Sequence, residues 1–257
     1  MARISALVAS LAVALTAFTF STPLAADEFS ASQKSEIETI IKNYLMQNPE
    51  ILRDAINELE NREKTAEAEA RGKLLGNLQG PLYTSPYQAV VGDQNGKLTL
   101  IEFFDYNCGY CKKMLPDIAR LMKDEPDLRV ILRDYPILSD ASVEAATVAA
   151  AVRNQFQGEK FWEFHQKLLG SHGPVGKAQA LAVAQSLGAD MDKIAKDMEA
   201  PSVKEGLDES DRLGRDLALN GTPSYVIGDE VVVGAVGYDA LKAKLDNVRK
   251  CGKVVCS

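Results

Sequence analysis

Four cysteines in 257 residues fall into two close pairs, Cys108 with Cys111 and Cys251 with Cys256. The first pair sits in the run Phe103-Phe104-Asp105-Tyr106-Asn107-Cys108-Gly109-Tyr110-Cys111-Lys112, where β-forming residues give way to a helical pattern. Two intervening residues let both sulfurs meet in the first turn of a helix. The first sulfur then faces the partial positive charge and free N–H groups of the helix N-terminus, which stabilise a thiolate. A lowered pKa makes that sulfur a nucleophile near neutral pH and a good leaving group. Cys108 is therefore expected to be the exposed, attacking sulfur and Cys111 the resolving one. The competing readings are half a zinc site and an inert structural disulfide. Zinc needs two more ligands, and only the distant second cysteine pair is on offer. Cys251 and Cys256 close the last predicted helix and read as a structural tail disulfide, with a second redox or metal-binding pair as the alternative.

The chain's start decides whether disulfides can persist. Arg3 is the only charge before Asp27, residues 4–20 are mostly apolar, and residues 21–26 turn small and polar. That order is expected of a secretory signal over residues 1–26, ending at Ala26. An uncleaved anchor is the alternative, for which the run is somewhat short. No later stretch approaches about 18 apolar residues, so the mature chain is expected to be soluble, in a compartment where disulfides form. Apolar residues make up 46% and charged residues 25%, which excludes collagen-like, mucin-like and wholly disordered chains. A net charge of -7 argues against nucleic acid as a partner. With only two histidines, His165 and His172, a site built on several histidines is impossible. His165 lies in an aromatic helical run and reads as a core residue. His172 reads as a loop residue, and Phe161 and Trp162 as helical-domain core.

The elements that must position the first pair follow from periodicity. In residues 27–60, Ile37, Ile40, Ile41, Tyr44 and Leu45 recur at helical spacing, as do Ile51, Leu52, Ala55, Ile56 and Leu59. Between them Asn48 is expected to cap a new helix, with Pro49 at its first position and Glu50 at its positive end. Each half is too short to stand alone in water, so its apolar stripe packs either on copies of itself or back on the rest of the chain. Residues 61–71 favour helix but have almost no large apolar residue. The chain is then broken by Gly72, Gly76, Gly80-Pro81 and Ser85-Pro86, which predicts an exposed linker over residues 61–85. From residue 86 the pattern turns α/β. Strands are predicted at 89–91, 98–104, 129–132, 224–227 and 231–233. Helices are predicted at 108–123, 141–154, 160–169, 177–187, 191–199, 203–219 and 239–249. A parallel crossover unit comes first, then a helical block, then an antiparallel pair with a terminal helix.

The run Glu102-Phe103-Phe104…Cys108-Gly109-Tyr110-Cys111 resembles the active site of the DsbA-type thioredoxin-fold proteins of the bacterial cell envelope. Pro116 matches the proline that kinks the active-site helix, residues 161–169 resemble part of the family's helical insertion, and Asn220-Gly221-Thr222-Pro223-Ser224 matches the cis-proline loop. The likeness covers roughly residues 87–250. With the N-terminal arm it is most similar to the suppressor-of-copper-sensitivity protein C group, several of whose members are trimers. The resemblance implies an α/β thioredoxin fold in residues 86–257 with a helical insertion at about 139–219, preceded by a helical oligomerisation arm. It implies that Glu102 is a buried acid exchanging the proton of Cys111, although strand alternation alone also allows a surface-facing Glu102. It implies that Thr222 and Pro223 abut the sulfurs, and that the threonine backbone pairs with an extended substrate segment.

One departure bears on direction. The oxidase members usually carry Pro-His between the cysteines, where Gly109 and Tyr110 stand here. Gly-Tyr lacks the cation that helps stabilise the thiolate, and it resembles the dipeptide of the DsbC disulfide isomerases. The expectation is a periplasmic disulfide isomerase or reductase, without a diffusible cofactor, acting on disulfide-containing periplasmic proteins. It would be trimeric through its arm and supplied with electrons by a membrane protein. The rivals are a monomeric DsbA-like oxidase and a non-enzymatic copper(I)-binding or chaperone protein using soft thiolates.

Overall fold

The computed structural model describes residues 29–256, so the expected signal segment lies outside the described residues. The chain divides into two compact units at Glu58 and Leu59.

In the first unit, helix α1 (Ala31–Gln47) opens with Ser30, whose side chain accepts from the Gln33 N–H while Gln33 reaches back to the Ser30 backbone. This reciprocal cap satisfies two otherwise orphaned donors. Helix α2 (Glu50–Asn77) begins in this unit and continues past its boundary. Asn48 ends α1, its N–H and its Nδ2 both donating back to the Tyr44 carbonyl. No residue of α1 is buried, and Ile40, Ile41, Tyr44, Leu52 and Ile56 are all exposed.

In the second unit, α3 (Gln79–Thr84) precedes strands β1 (Ala89–Gly92) and β2 (Leu98–Phe104). Helix α4 (Gly109–Asp124) leads to β3 (Leu128–Asp134). The inserted block contains α5 (Asp140–Val152), α6 (Gly158–Leu169), α7 (Lys177–Ser186), α8 (Met191–Met198) and α9 (Pro201–Asp216). Strands β4 (Ser224–Ile227) and β5 (Glu230–Val233) and helix α10 (Tyr238–Cys251) complete the unit. The sheet order is β1-β3-β2-β4-β5, with β2 and β3 parallel and every other pairing antiparallel. This is a mixed thioredoxin-like sheet with a helical insertion. Among the described residues no helix is long and apolar enough to cross a membrane.

Strand alternation sends side chains to two cores. Leu98, Leu100 and Phe104 join α4, α5, α6 and α10 on one face, through Cys111, Met114, Ile118, Val148, Phe164, Leu241 and Leu245. Ile101 and Phe103 face the other way, onto Leu213 and Leu217. Glu102 keeps the parity of Leu100 and Phe104, so it lies under α4. At the end of β1, Gly92 has φ +72, and a Cβ there would stand 2.4 Å from the Leu128 carbonyl oxygen. Only glycine satisfies both conditions. In α9, a Cβ on Gly214 would meet the Tyr135 ring at 2.5 Å, so the missing side chain lets this helix close on the sheet.

The expectation of an exposed linker at 61–85 needs correcting at its C-terminal end. Leu75 is 2% and Leu82 0% exposed, both in the second core. The fully buried guanidinium of Arg133 holds the segment, pairing with Glu209 at 2.7 Å and donating to the carbonyls of Pro81 and Leu82. Arg129 donates to the Tyr83 carbonyl at 2.9 Å. Leu75, Leu78 and Leu82 do fall at helical spacing, but Gly76 and Gly80-Pro81 between them read as breaks, and the arginines that hold the segment lie some fifty residues away in sequence.

Candidate active site

The turn between β2 and α4 is built from its own polar residues. Asp105 is 1% exposed, and its two carboxylate oxygens accept from the N–H groups of Asn107 at 2.8 Å and Leu138 at 3.1 Å. Its carbonyl accepts the Cys108 N–H at 3.0 Å. The Asn107 amide exchanges two hydrogen bonds with the Val175 backbone, at 2.7 and 2.8 Å, and donates to Ser142 Oγ at 3.1 Å. The helical insertion is thus bonded to the residue immediately before Cys108. Neither Asp105 nor Asn107 stands out in the sequence. The available signal is an Asp and an Asn just before a helix start, where such side chains fold back on the backbone.

Cys108 occupies the N-cap of α4 and Cys111 lies in its first turn, with both thiols free. Inside the helix Pro116 lacks an N–H, so the Lys112 carbonyl loses its helical donor. Across from the cysteines, the Thr222–Pro223 peptide is cis, and Cys108 Sγ donates to the Thr222 carbonyl at 3.1 Å. That loop covers the first sulfur. The expectation of an exposed Cys108 is corrected, since the residue is only 5% exposed and Cys111 is 0%. The exposed group is Tyr110, at 65%. A Cβ on Gly109 would meet nothing within 4 Å, so the space beside Tyr110 is open.

The two thiols are driven apart electrostatically. A hydrogen bond from the Cys111 thiol, followed by the Thr222 side chain and the backbone N–H groups of Cys111 and Tyr110, lowers the Cys108 pKa to about 5 against the effect of burial. The Thr222 hydroxyl has no hydrogen-bond partner while Cys108 is a thiol donating to the carbonyl. It becomes a donor once Cys108 ionises. Cys111 moves the opposite way, held far above the usual thiol range by its bond to Cys108, by burial and by the Glu102 carboxylate. One sulfur is a thiolate at neutral pH and the other a thiol, as a two-step exchange needs.

Glu102 is 2% exposed, and its partner across the strand register is Tyr225. The Tyr225 hydroxyl donates to Glu102 Oε1 at 3.4 Å. Burial, aided by the Cys108 charge and opposed by Tyr225, raises the Glu102 pKa to about 8. This acid binds its proton more tightly folded than unfolded, so its contribution to stability falls as pH rises from about 4.5 to about 8. Glu102→Gln is expected to leave the melting temperature nearly unchanged near pH 4 and to raise it above pH 8. The gain is at most about 1.4 kcal/mol for each pH unit by which folding raises the carboxyl's pKa, and thermal unfolding across that range checks it.

His165 is fully buried, edge-on to Phe104 and stacked on Trp162 with centroids 5.4 Å apart. Burial lowers its pKa to about 3, so it is neutral near pH 7. His172 lies in the loop after α6. Cys251 and Cys256 form a disulfide that closes a short loop after α10. The loop is fastened by Asn247 to the Val254 carbonyl at 2.8 Å and by the Val254 N–H to Asp229 at 3.0 Å.

A dithiol at a helix N-terminus, beside a cis-proline and above a buried acid on a mixed five-stranded sheet, defines the class of thioredoxin-fold thiol–disulfide exchange domains. Residues 99–246 match the model of the DSBA-like thioredoxin domain, and residues 33–66 match that of the copper resistance protein ScsC N-terminal domain. The chain belongs to the DSBA-like thioredoxin family and falls with its ScsC group. A thioredoxin-like oxidoreductase from Silicibacter pomeroyi is 36% identical, with 67% of this chain and 98% of that one covered and a TM-score of 0.63. A linker-deletion variant of Proteus mirabilis ScsC is 26% identical, covering 88% and 99% respectively with a TM-score of 0.66. Among curated relatives, the Na(+)/H(+) antiporter NhaA 1 of Salinispora arenicola is 28% identical over 159 residues, or 60% of this chain. The chain spans 24% of that protein's length.

Proposed function

We propose that the chain is a periplasmic thiol–disulfide exchange protein working as a disulfide isomerase or reductase. The observation that carries this reading is the dithiol at the start of α4, Cys108 at the N-cap and Cys111 in the first turn beside the cis Thr222–Pro223 peptide, with Gly109 and Tyr110 between them and no cation there to favour a strong oxidant. The Cys108 thiolate attacks a substrate disulfide and forms a mixed disulfide. Cys111 then displaces the substrate, giving reduction, or a substrate thiol does so, giving isomerisation. Glu102 takes the Cys111 proton. The Thr222 backbone beside Pro223 pairs with an extended substrate segment, and Gly109 and Tyr110 form the open face it approaches.

The domain plan is part of the same proposal. Residues 1–26 are removed on export, and residues 27–60 assemble three copies through their exposed apolar stripe. Residues 61–85 connect the arm to the exchange domain at 86–257. Cys251 and Cys256 are a structural bridge, and a membrane protein supplies electrons. The likeness to ScsC supports a role in copper tolerance.

A monomeric oxidase is the second reading, favoured by the low Cys108 pKa, because a stabilised thiolate makes the disulfide more oxidising. A pKa of about 5 still lies above the roughly 3.5 of the strongest oxidants of this fold. Equilibration with glutathione separates the readings. The expected potential is more negative than roughly -120 mV and within reach of an isomerase near roughly -180 mV. Tyr110→His should make the protein more oxidising, by about 30 mV for each 1.4 kcal/mol gained. A parent protein already as oxidising as roughly -120 mV would favour the oxidase.

A further inference from the structure

Tyr225 is a fully buried tyrosine in a strand whose other side chains are Ser224, Val226 and Ile227. Its ring belongs to the core beneath α4, and phenylalanine would fill that space as well. The hydroxyl is what needs explaining, because a buried hydroxyl requires a partner. Its acceptor among the described residues is Glu102 Oε1, at 3.4 Å, from the directly opposed register position on β2. That separation is long for a bond to a carboxylate and suits a protonated acid. It should shorten when Glu102 ionises.

We propose that Tyr225 is a positioning residue for the resolving half of the exchange, its hydroxyl stabilising the ionised form of Glu102 that accepts the Cys111 proton. The inference rests on the roles given above to Cys108, Cys111 and Glu102. In the resolving step the Cys111 S–H proton passes to the Glu102 carboxylate while the Cys111 sulfur bonds to Cys108. The bond from Cys108 to the substrate sulfur breaks. The substrate sulfur leaves with the electron pair and takes a proton from water, so the enzyme dithiol is oxidised by two electrons and the substrate disulfide reduced.

The titratable neighbours are few. Cys108 at the N-cap acts on Glu102, and Cys111 and Asp117 of α4 act on Tyr225. On β3 the register neighbour of Glu102 is Leu132, and the α10 residues in this core, Leu241 and Leu245, are apolar. With Tyr225 gone, nothing else in this set offers the carboxylate a neutral hydroxyl donor. The pKa of Glu102 must then rise further under burial.

The test is single-turnover release of a thiol substrate from its mixed disulfide with Cys108, followed from pH 6 to 10. Tyr225→Phe should move the midpoint of the resolving step up by about one pH unit and slow it about tenfold at pH 7. The rate of Cys108 attack on the substrate disulfide should stay within about twofold, which also establishes that the variant is folded. In a Glu102→Gln background the same substitution should shift nothing further. If Glu102→Gln removes the pH dependence but Tyr225→Phe leaves the midpoint in place, the Tyr225 proposal is overturned and the acid's role stands. If Glu102→Gln itself leaves the profile intact, both are overturned.

Discussion

Cys108→Ser should lower disulfide reduction and isomerisation on the order of a thousandfold or more, leaving only the background of free thiols. No other sulfur of the chain can take its place. Cys111 stays buried beside Glu102 in this variant, and burial and the Glu102 carboxylate both push its pKa up, so it neither reaches the substrate nor ionises readily. Cys251 and Cys256 are bonded to each other at the end of α10. Their thiolates would face the negative pole of a helix, the reverse of the setting that favours Cys108. A serine hydroxyl at the same N-cap ionises far too weakly to attack a disulfide. Insulin reduction and refolding of a scrambled disulfide protein provide the readouts, and substantial activity in the variant would remove Cys108 from the mechanism.

Deleting residues 27–60 is the second large effect. It should convert the proposed trimer into a folded monomer that retains simple dithiol exchange but loses most of the proposed isomerase activity. The buried apolar residues of both cores begin at Leu75, so the deletion removes none of them. What goes is the stripe of Ile40, Ile41, Tyr44, Leu52 and Ile56, all exposed. An apolar stripe of this length is a surface for association. Isomerisation needs repeated attack on one substrate, and several active sites around a shared space raise their effective concentration. Light scattering on residues 27–257 checks the assembly, and a monomer there ends the argument from the arm.

Much of the fold and of the site is legible in the sequence alone. Strands 98–104 and 224–227 are bounded by their β-forming runs, and their observed limits coincide with the predicted ones. The helix start at Cys108 follows from the change of period, and the structure places Gly109 as its first residue. The residues that escape are those whose partners are remote. Leu75 and Leu82 look like linker residues until Arg133 and the second core hold them. Cys108 looks exposed until the Thr222 carbonyl, 114 residues on, covers it. Tyr225 looks like any β-former until the β2–β4 register sets it opposite Glu102. Asn48 satisfies every local rule for starting a helix, yet its amide turns back to finish the preceding one. A side chain with two backbone choices is not settled by propensity.

In the proposed exchange Cys108 attacks and Cys111 resolves. Cys111→Ser removes the resolving thiol and leaves the attacking one in place. Incubated with a disulfide-containing protein, this variant should accumulate a covalent mixed disulfide, stable until an external thiol is added. Mass spectrometry of the digested complex should place the link at Cys108. A link through Cys251 or Cys256, or no adduct while turnover continues, would contradict the assignment.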